Sequence, residues 1–226
     1  MIKDIYEVLY KNFKPLGWWP LYNKKTDEIE YHPKTYIIKS EQKRFEIIMG
    51  AILAQSTSWK NAEKSIKILY NKSFLNKKSL ERINIRTLAG LIISSGYHNQ
   101  KAKKIKEFIK FINSKKPVTR ENLLNVWGVG PETADSILLY AYNKPIFVID
   151  AYTKRVFNRL GLSRINAGYA ELQDLFMKNL PSNYKVFNEY HALIVKLAKE
   201  YCKNDPLCNK CPISRQCDYG KPKLNI

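Results

Sequence analysis

The sequence predicts an all-α fold, and three observations predict it. Apolar residues recur at helical spacing through most of the 226 residues, glycine and proline fall between those stretches, and the one strand-like run, residues 145–149, is too isolated to build a sheet. Hydrophobic residues make up 45% of the chain, which marks it as globular, and its length allows one domain or two small interleaved ones.

In chain order, Ile2, Ile5, Val8, Leu9 and Phe13 form an apolar stripe that Pro15 and Gly17 stop. Residues 18–39 are mixed and read as irregular. Helical patterns resume over residues 45–54, 61–70, 79–83, 87–94 and 101–112, with short polar breaks. Within residues 122–142 two helical stretches are joined by Gly128-Val129-Gly130, and Pro131 suits the first position of the second helix. Asp150 then stands where an N-cap is expected for a helix over residues 154–160. The sequence shows no internal repeat and no low-complexity linker.

Charge points to the partner. Lysine and arginine number 39 against 20 acidic residues, a net charge of +19 that favours a polyanion, nucleic acid first. Residues 101–120 hold eight basic residues and one acid, Glu107. Ala102, Ile105, Ile109 and Ile112 would line the buried face of that helix, with Lys103, Lys104, Lys106 and Lys110 outward. A glycine hairpin beside such a helix can bring bare backbone amides close to a phosphate. No stretch reaches the ~20 apolar residues of a membrane span, and the start, Met1-Ile2-Lys3-Asp4, lacks signal-peptide order. The expectation is a soluble, cytoplasmic, nucleoid-associated monomer that engages no membrane.

All four cysteines, Cys202, Cys208, Cys211 and Cys217, fall within sixteen residues as C-x5-C-x2-C-x5-C. Two disulfides so close would be crowded, which leaves a metal centre. Spacing alone leaves a [4Fe-4S] cluster and a structural zinc both open. His32, His98 and His191 are isolated, so no metal-histidine or Ser-His-Asp pattern is visible.

Taken in order, the Gly-Val-Gly hairpin, the aspartate some twenty residues on and the four-cysteine loop resemble the endonuclease III group of helix-hairpin-helix DNA glycosylases, from about residue 45 to residue 217. The resemblance implies two helical domains: residues 40–149 as a six-helix domain with the hairpin at about 119–142, and residues 1–39 plus 150–226 as an iron-sulfur domain. It implies a [4Fe-4S] cluster on the four cysteines, zinc being the alternative. It also implies a substrate, double-stranded DNA carrying a damaged or mismatched base. By the same resemblance Asp150 stabilises positive charge on the sugar as the glycosidic bond breaks, Gln55 enters the duplex beside the extruded base, and Tyr97 takes the wedge position. Gly128, Val129, Gly130, Lys103, Lys104 and Lys106 are the remaining candidates for DNA contact.

One departure bears on mechanism. Where endonuclease III carries the lysine that attacks the sugar, this chain has Glu132. A carboxylate forms no Schiff base, so water is the expected nucleophile and an intact abasic site the product, with Glu132 orienting the water or acting as an acid in the first helical turn. Lysine-lacking relatives resemble either thymine and uracil mismatch glycosylases, which carry the cluster, or 3-methyladenine glycosylases, which share the acidic hairpin helix seen at residues 132–135. Uracil or thymine opposite guanine is the leading reading, and an alkylated or oxidised purine the alternative. Trp18, Trp19, Trp59, Tyr140 and Tyr152 are candidates for the base pocket. From other classes remain a non-catalytic DNA-binding protein, which would have no reason to place Asp150 after the hairpin, and a redox or zinc-finger protein.

Overall fold

The computed structural model describes residues 1–36, 38 and 40–224. Among them are eleven α-helices and one two-stranded sheet, with 60% of the chain helical, so the all-α expectation holds. The helices are α1 (Ile2–Phe13), α2 (Glu41–Leu53), α3 (Trp59–Asn71), α4 (Lys77–Arg82), α5 (Ile85–Leu91), α6 (His98–Asn113), α7 (Arg120–Leu124), α8 (Pro131–Ser136), α9 (Ala151–Arg159), α10 (Tyr169–Asn179) and α11 (Tyr184–Glu200). Side chains of Ser40, Ser58, Asn76, Asn84, Thr119, Asp150 and Asn183 accept a backbone N–H in the first turn of their helices, so polar caps set most starts.

The chain divides into two compact units, Met1–Trp18 with His32–Tyr36 and Pro145–Ile226, and Trp19–Tyr31 with Ile37–Lys144. In the second, α2 is the central helix. Glu46 through Leu53 are all buried, as a helix apolar all round requires. Residues 18–39, read as irregular, contain the sheet: β1 (Leu21–Asn23) pairs antiparallel with β2 (Glu28–Glu30), Tyr22 opposite Ile29. Strands of three residues are too short for alternation to show in sequence. Residues 19–31, which the sequence groups with α1, cluster instead with α2. The Tyr22 amide donates to Glu46 Oε1 at 2.6 Å, and Trp19 lies so close to Gly50 that a Cβ there would be 3.1 Å from the indole.

The first unit is built round α11, buried almost continuously from Phe187 to Ala198. Residues 145–149 pair with no strand among the described residues and run without regular secondary structure into this core, where Phe147 stacks on Phe176 at 3.9 Å and its carbonyl accepts from Gln173 Nε2 at 2.6 Å. Buried Glu189 fastens the chain after α1: its carboxylate accepts from the Leu16 amide at 2.6 Å, the Gly17 amide at 3.4 Å and the Tyr36 hydroxyl at 2.8 Å. Gly17 holds φ 72 with the His32–Pro33 backbone where a side chain would begin, so no other residue fits.

Candidate functional site

The hairpin in the second unit is held by side chains as well as by its turn. Gly128 has φ 84 and carries the Lys104 stem against its Cα, so a Cβ is excluded twice over. Gly130 is extended with open space beside it and needs no special freedom. The Val129 side chain is buried, which leaves only its backbone to a ligand. Gln55, just past α2, is a strut: its Nε2 donates to the Gly128 carbonyl at 3.1 Å and to Thr133 Oγ1 at 2.8 Å, while Lys104 Nζ donates to its Oε1 at 2.5 Å. Beneath the turn, α8 widens into one π-helical turn over Ile137–Ala141, and Arg44 Nε takes up the Ala141 carbonyl at 3.1 Å.

The basic face of α6 divides in two. Lys103 Nζ sits 4.3 Å over the ring of Trp127, which is 48% exposed on the hairpin, and Lys104 joins it through Gln55. Lys106 turns elsewhere. Its Nζ donates to the carbonyls of Leu80, Glu81 and Ile83, closing the C-terminus of α4, and burial lowers its pKa. Lys101 lies in the core, where its ammonium donates to Leu53 and Ser95 carbonyls at 2.8 and 2.6 Å and burial lowers its pKa to about 8. Tyr97 heads α6 at φ 44 with 67% of its surface exposed, a left-handed conformation costly for an aromatic residue. Ser56, beside Gln55, is also left-handed at φ 50. Glu132 is exposed in the first turn of α8.

In the first unit Asp150 caps α9. Its Oδ1 accepts from the Thr153 amide at 2.7 Å and the Thr153 hydroxyl at 2.8 Å, and its Oδ2 lies 3.6 Å from His191 Nε2 on α11. Burial holds His191 toward its neutral form, opposed by the Asp150 charge. Lys199, in the last turn of α11, also feels Asp150, although burial lowers its pKa. In sequence His191 stands isolated, because the 40 residues between it and Asp150 carry no local signal. Of the aromatic candidates, Trp19 and Tyr140 are buried in the second unit, with Trp19 edge-on to Trp59 at 5.1 Å, while Tyr152 lies between Arg155 and Lys199 in the first.

The four cysteines are free thiols, each half-buried, and they line one small cavity of about 20 Å³ together with Arg159, Tyr201, Pro206 and Tyr219. Turns at Cys208–Lys210 and Ser214–Gln216 bring them round it. Burial pushes the Cys211 thiol up to about 11, and the other three cysteines add to that shift. Four crowded thiols suit a cationic centre that would stabilise them as thiolates. Among the described residues no group of three or more His, Cys, Asp or Glu side chains is arranged to hold a single metal ion. Arg159 Nη1 points at Cys202 Sγ from 3.4 Å.

Residues 49–182 match the family model of the HhH-GPD superfamily base excision DNA repair protein. A Methanocaldococcus jannaschii protein provisionally named as a DNA repair glycosylase is 38% identical, covering 96% of this chain and 96% of its own. Among solved structures, a trapped endonuclease III–DNA covalent intermediate superposes with TM-score 0.79 at 22% identity over 99% of each chain. A thermostable thymine-DNA glycosylase gives 0.71 at 21% identity over 98% of this chain and 97% of its own. A 3-methyladenine DNA glycosylase of H. pylori bound to 1,N6-ethenoadenine gives 0.70 at 28% identity over 88% and 97%. The family match spans more than half of the chain and the M. jannaschii relative nearly all of it, so this chain belongs to the HhH-GPD superfamily and is a DNA repair glycosylase of that family.

Proposed function

We propose that this glycosylase removes its base by hydrolysis, without cutting the strand. The observation that carries the reading is Asp150, a carboxylate with one oxygen committed to the head of α9 and the other left over for chemistry. As the bond between C1′ and the base breaks, the base leaves with its electron pair and the sugar gains positive charge, which the fixed carboxylate stabilises. A water oxygen then bonds to C1′, and its proton passes to Asp150. Glu132 supports this route, because a carboxylate in place of the lysine offers no amine for an imine.

Gripping of undamaged duplex is assigned to the backbone of Gly128, Val129 and Gly130 and to Lys103 and Lys104, with Gln55 and Tyr97 meeting the strand near the extruded base. Lys106 is dropped from this set, since its ammonium is already engaged by three carbonyls. The cysteine ring is assigned a [4Fe-4S] cluster that would clamp the C-terminal loop, with a structural zinc as the alternative.

Uracil or thymine opposite guanine is the proposed substrate, on the joint presence of the cysteine ring and the missing lysine. An alkylated purine is the second reading, favoured by the 28% identity to the 3-methyladenine glycosylase structure. A panel of duplexes, each with one altered base, separates them. Uracil or thymine should be released opposite guanine, leaving a site that breaks only under alkali, and Asp150→Asn should bind the same duplex yet lose most excision. Release of alkylated purines alone would replace the first reading with the second, and full activity in Asp150→Asn would overturn both.

A further inference from the structure

Two helix ends in the second unit lead directly into the segments that carry Gln55 and Tyr97. The helix α2 ends at Leu53, two residues before Gln55, and the 3₁₀ turn Ile93–Ser95 ends two residues before Tyr97. The last carbonyls of a helix have no partner within it. Here both go to one side chain: Lys101, 2% exposed on α6, donates from its Nζ to the Leu53 carbonyl at 2.8 Å and to the Ser95 carbonyl at 2.6 Å. A cation is the group that a helix C-terminus favours, and this one closes two such ends at once. Just past each tie the backbone turns left-handed, at Ser56 with φ 50 beside Gln55, and at Gly96 and Tyr97 with φ 68 and 44. Outside glycine, that conformation persists only where the surroundings hold it. Lys101 also starts α6 on Tyr97, its amide donating to the Tyr97 carbonyl at 2.9 Å, and one turn on Lys104 reaches the Gln55 side chain.

We propose that Lys101 is the positioning residue for both strand-entering segments: by holding the Leu53 and Ser95 carbonyls on one ammonium, it fixes the spacing of Gln55 and Tyr97 before the duplex arrives. The inference rests on the assignment of Gln55 and Tyr97 above. Extruding a base from the stack costs free energy, and the residues that fill the gap must hold it open against the strand closing again. Loops that ordered only on contact would lose part of their binding free energy to conformational entropy, whereas loops already tied to α6 do not. Lys101 touches neither the DNA nor a reacting atom in this scheme.

The test uses the full chain in single-turnover excision on duplexes holding uracil opposite guanine and, in parallel, 1,N6-ethenoadenine. Each duplex is used fully paired and again with both neighbouring pairs mismatched, where extrusion costs less. Lys101→Met keeps a stem of similar length and removes the ammonium, and Lys101→Arg keeps a cation that can donate to both carbonyls. Relative to wild type, the methionine variant should excise at least about tenfold more slowly from the paired duplex but within about threefold from the mismatched one, a split that general loss of stability does not produce. The arginine variant should recover most of the rate. A second readout needs no excision: 2-aminopurine beside a tetrahydrofuran abasic analogue should brighten when saturating wild type fills the gap, and far less with Lys101→Met. Should the wild type release neither base, this fluorescence decides alone. In a Gln55→Ala, Tyr97→Ala background, Lys101→Met should cause no further loss, because it acts through those two residues. Wild-type rates or wild-type brightening by Lys101→Met, equal loss on paired and mismatched duplexes, or equal loss in the arginine variant would overturn the proposal. Should Lys101→Met melt below the assay temperature, Lys101→Gln, a shorter side chain that keeps an amide in the core, takes its place, and failure of both to fold would make Lys101 a residue of the fold alone and end the proposal. The Gln55→Ala, Tyr97→Ala protein distinguishes the two levels: if it excises and brightens the probe as wild type does, the assignment of the strand-entering residues fails, whereas if it is impaired while Lys101→Met is not, only the positioning role fails.

Discussion

The Arg120 guanidinium meets the Asp135 carboxylate through two hydrogen bonds, 2.7 and 3.1 Å, across the hairpin from α7 to α8. The partners are unequally buried: Asp135 has no exposed side chain, and Arg120 is 38% exposed. Removing one therefore differs from removing the other. Arg120→Ala leaves a buried charge without its main partner and should cost about 3–5 kcal/mol, whereas Asp135→Asn leaves an arginine that can turn to water and should cost less. Urea melts of the two variants check the order, and it should persist in high salt because the pair is shielded.

Glu46 makes stability depend on pH. Burial raises its pKa from 4.5 to about 7, while the Tyr22 amide and Lys43 pull it down. A folded state that holds the proton more tightly than the unfolded chain is favoured below 4.5 and loses that contribution as pH rises through about 7. Melting temperature should fall across this window, and Glu46→Gln, which can still accept from Tyr22, should flatten the fall and exceed wild type above it. A wild-type curve flat through that window would show that Glu46 keeps an ordinary pKa.

What the sequence reveals follows the periodicity of each helix. The core of α2 and the apolar face of α6 are legible because Ile47 to Leu53 and Ala102, Ile105 and Ile109 are apolar at positions that burial selects. The hairpin is legible because Gly128 and Pro131 each answer a backbone need. By contrast α11 is obscured by Glu189 and His191, buried polar residues that meet Leu16 and Asp150 from distant segments. Long lysines mislead in the opposite direction. Lys101 and Lys106 sit among outward lysines in sequence, yet both bend their ammonium groups onto backbone carbonyls, which no periodicity encodes.

That division of the α6 lysines gives a measurable split. Lys103→Ala and Lys104→Ala should each reduce the slope of log affinity against log salt for undamaged duplex by about one. Lys106→Ala should leave the slope alone and lower the melting temperature, since it uncaps α4. A flattened slope in Lys106→Ala would mean that its ammonium leaves the carbonyls for phosphate.

The cysteine ring predicts iron. Protein purified without oxygen should hold about four iron atoms per chain, and chelation should cost both colour and stability. Cys208→Ser should bind less iron and melt earlier, with the ring's remaining thiols still free. One zinc per chain and no iron would replace the cluster assignment by a structural zinc site.

The last expectation concerns Glu132 and the nature of the nucleophile. An amine that attacks C1′ forms an imine, which borohydride reduces to a stable amine linking protein and DNA, so trapping reports an attacking lysine and nothing else. Wild-type protein mixed with its substrate duplex and borohydride should therefore give no protein–DNA adduct, although the base is released. Strand breaks should appear only after alkali or heat. Glu132 is exposed at the first turn of α8, so a lysine there disturbs no packing, although it gives up an acid that the helix start favours by roughly 0.3–1 kcal/mol. Glu132→Lys should consequently fold, and it should gain a trapped adduct, because the change supplies the missing amine at the position where endonuclease III carries it. Efficient trapping by the wild type would defeat the hydrolytic reading and direct attention to Lys144 or Lys154, and replacing each by alanine would identify the one that reaches the sugar.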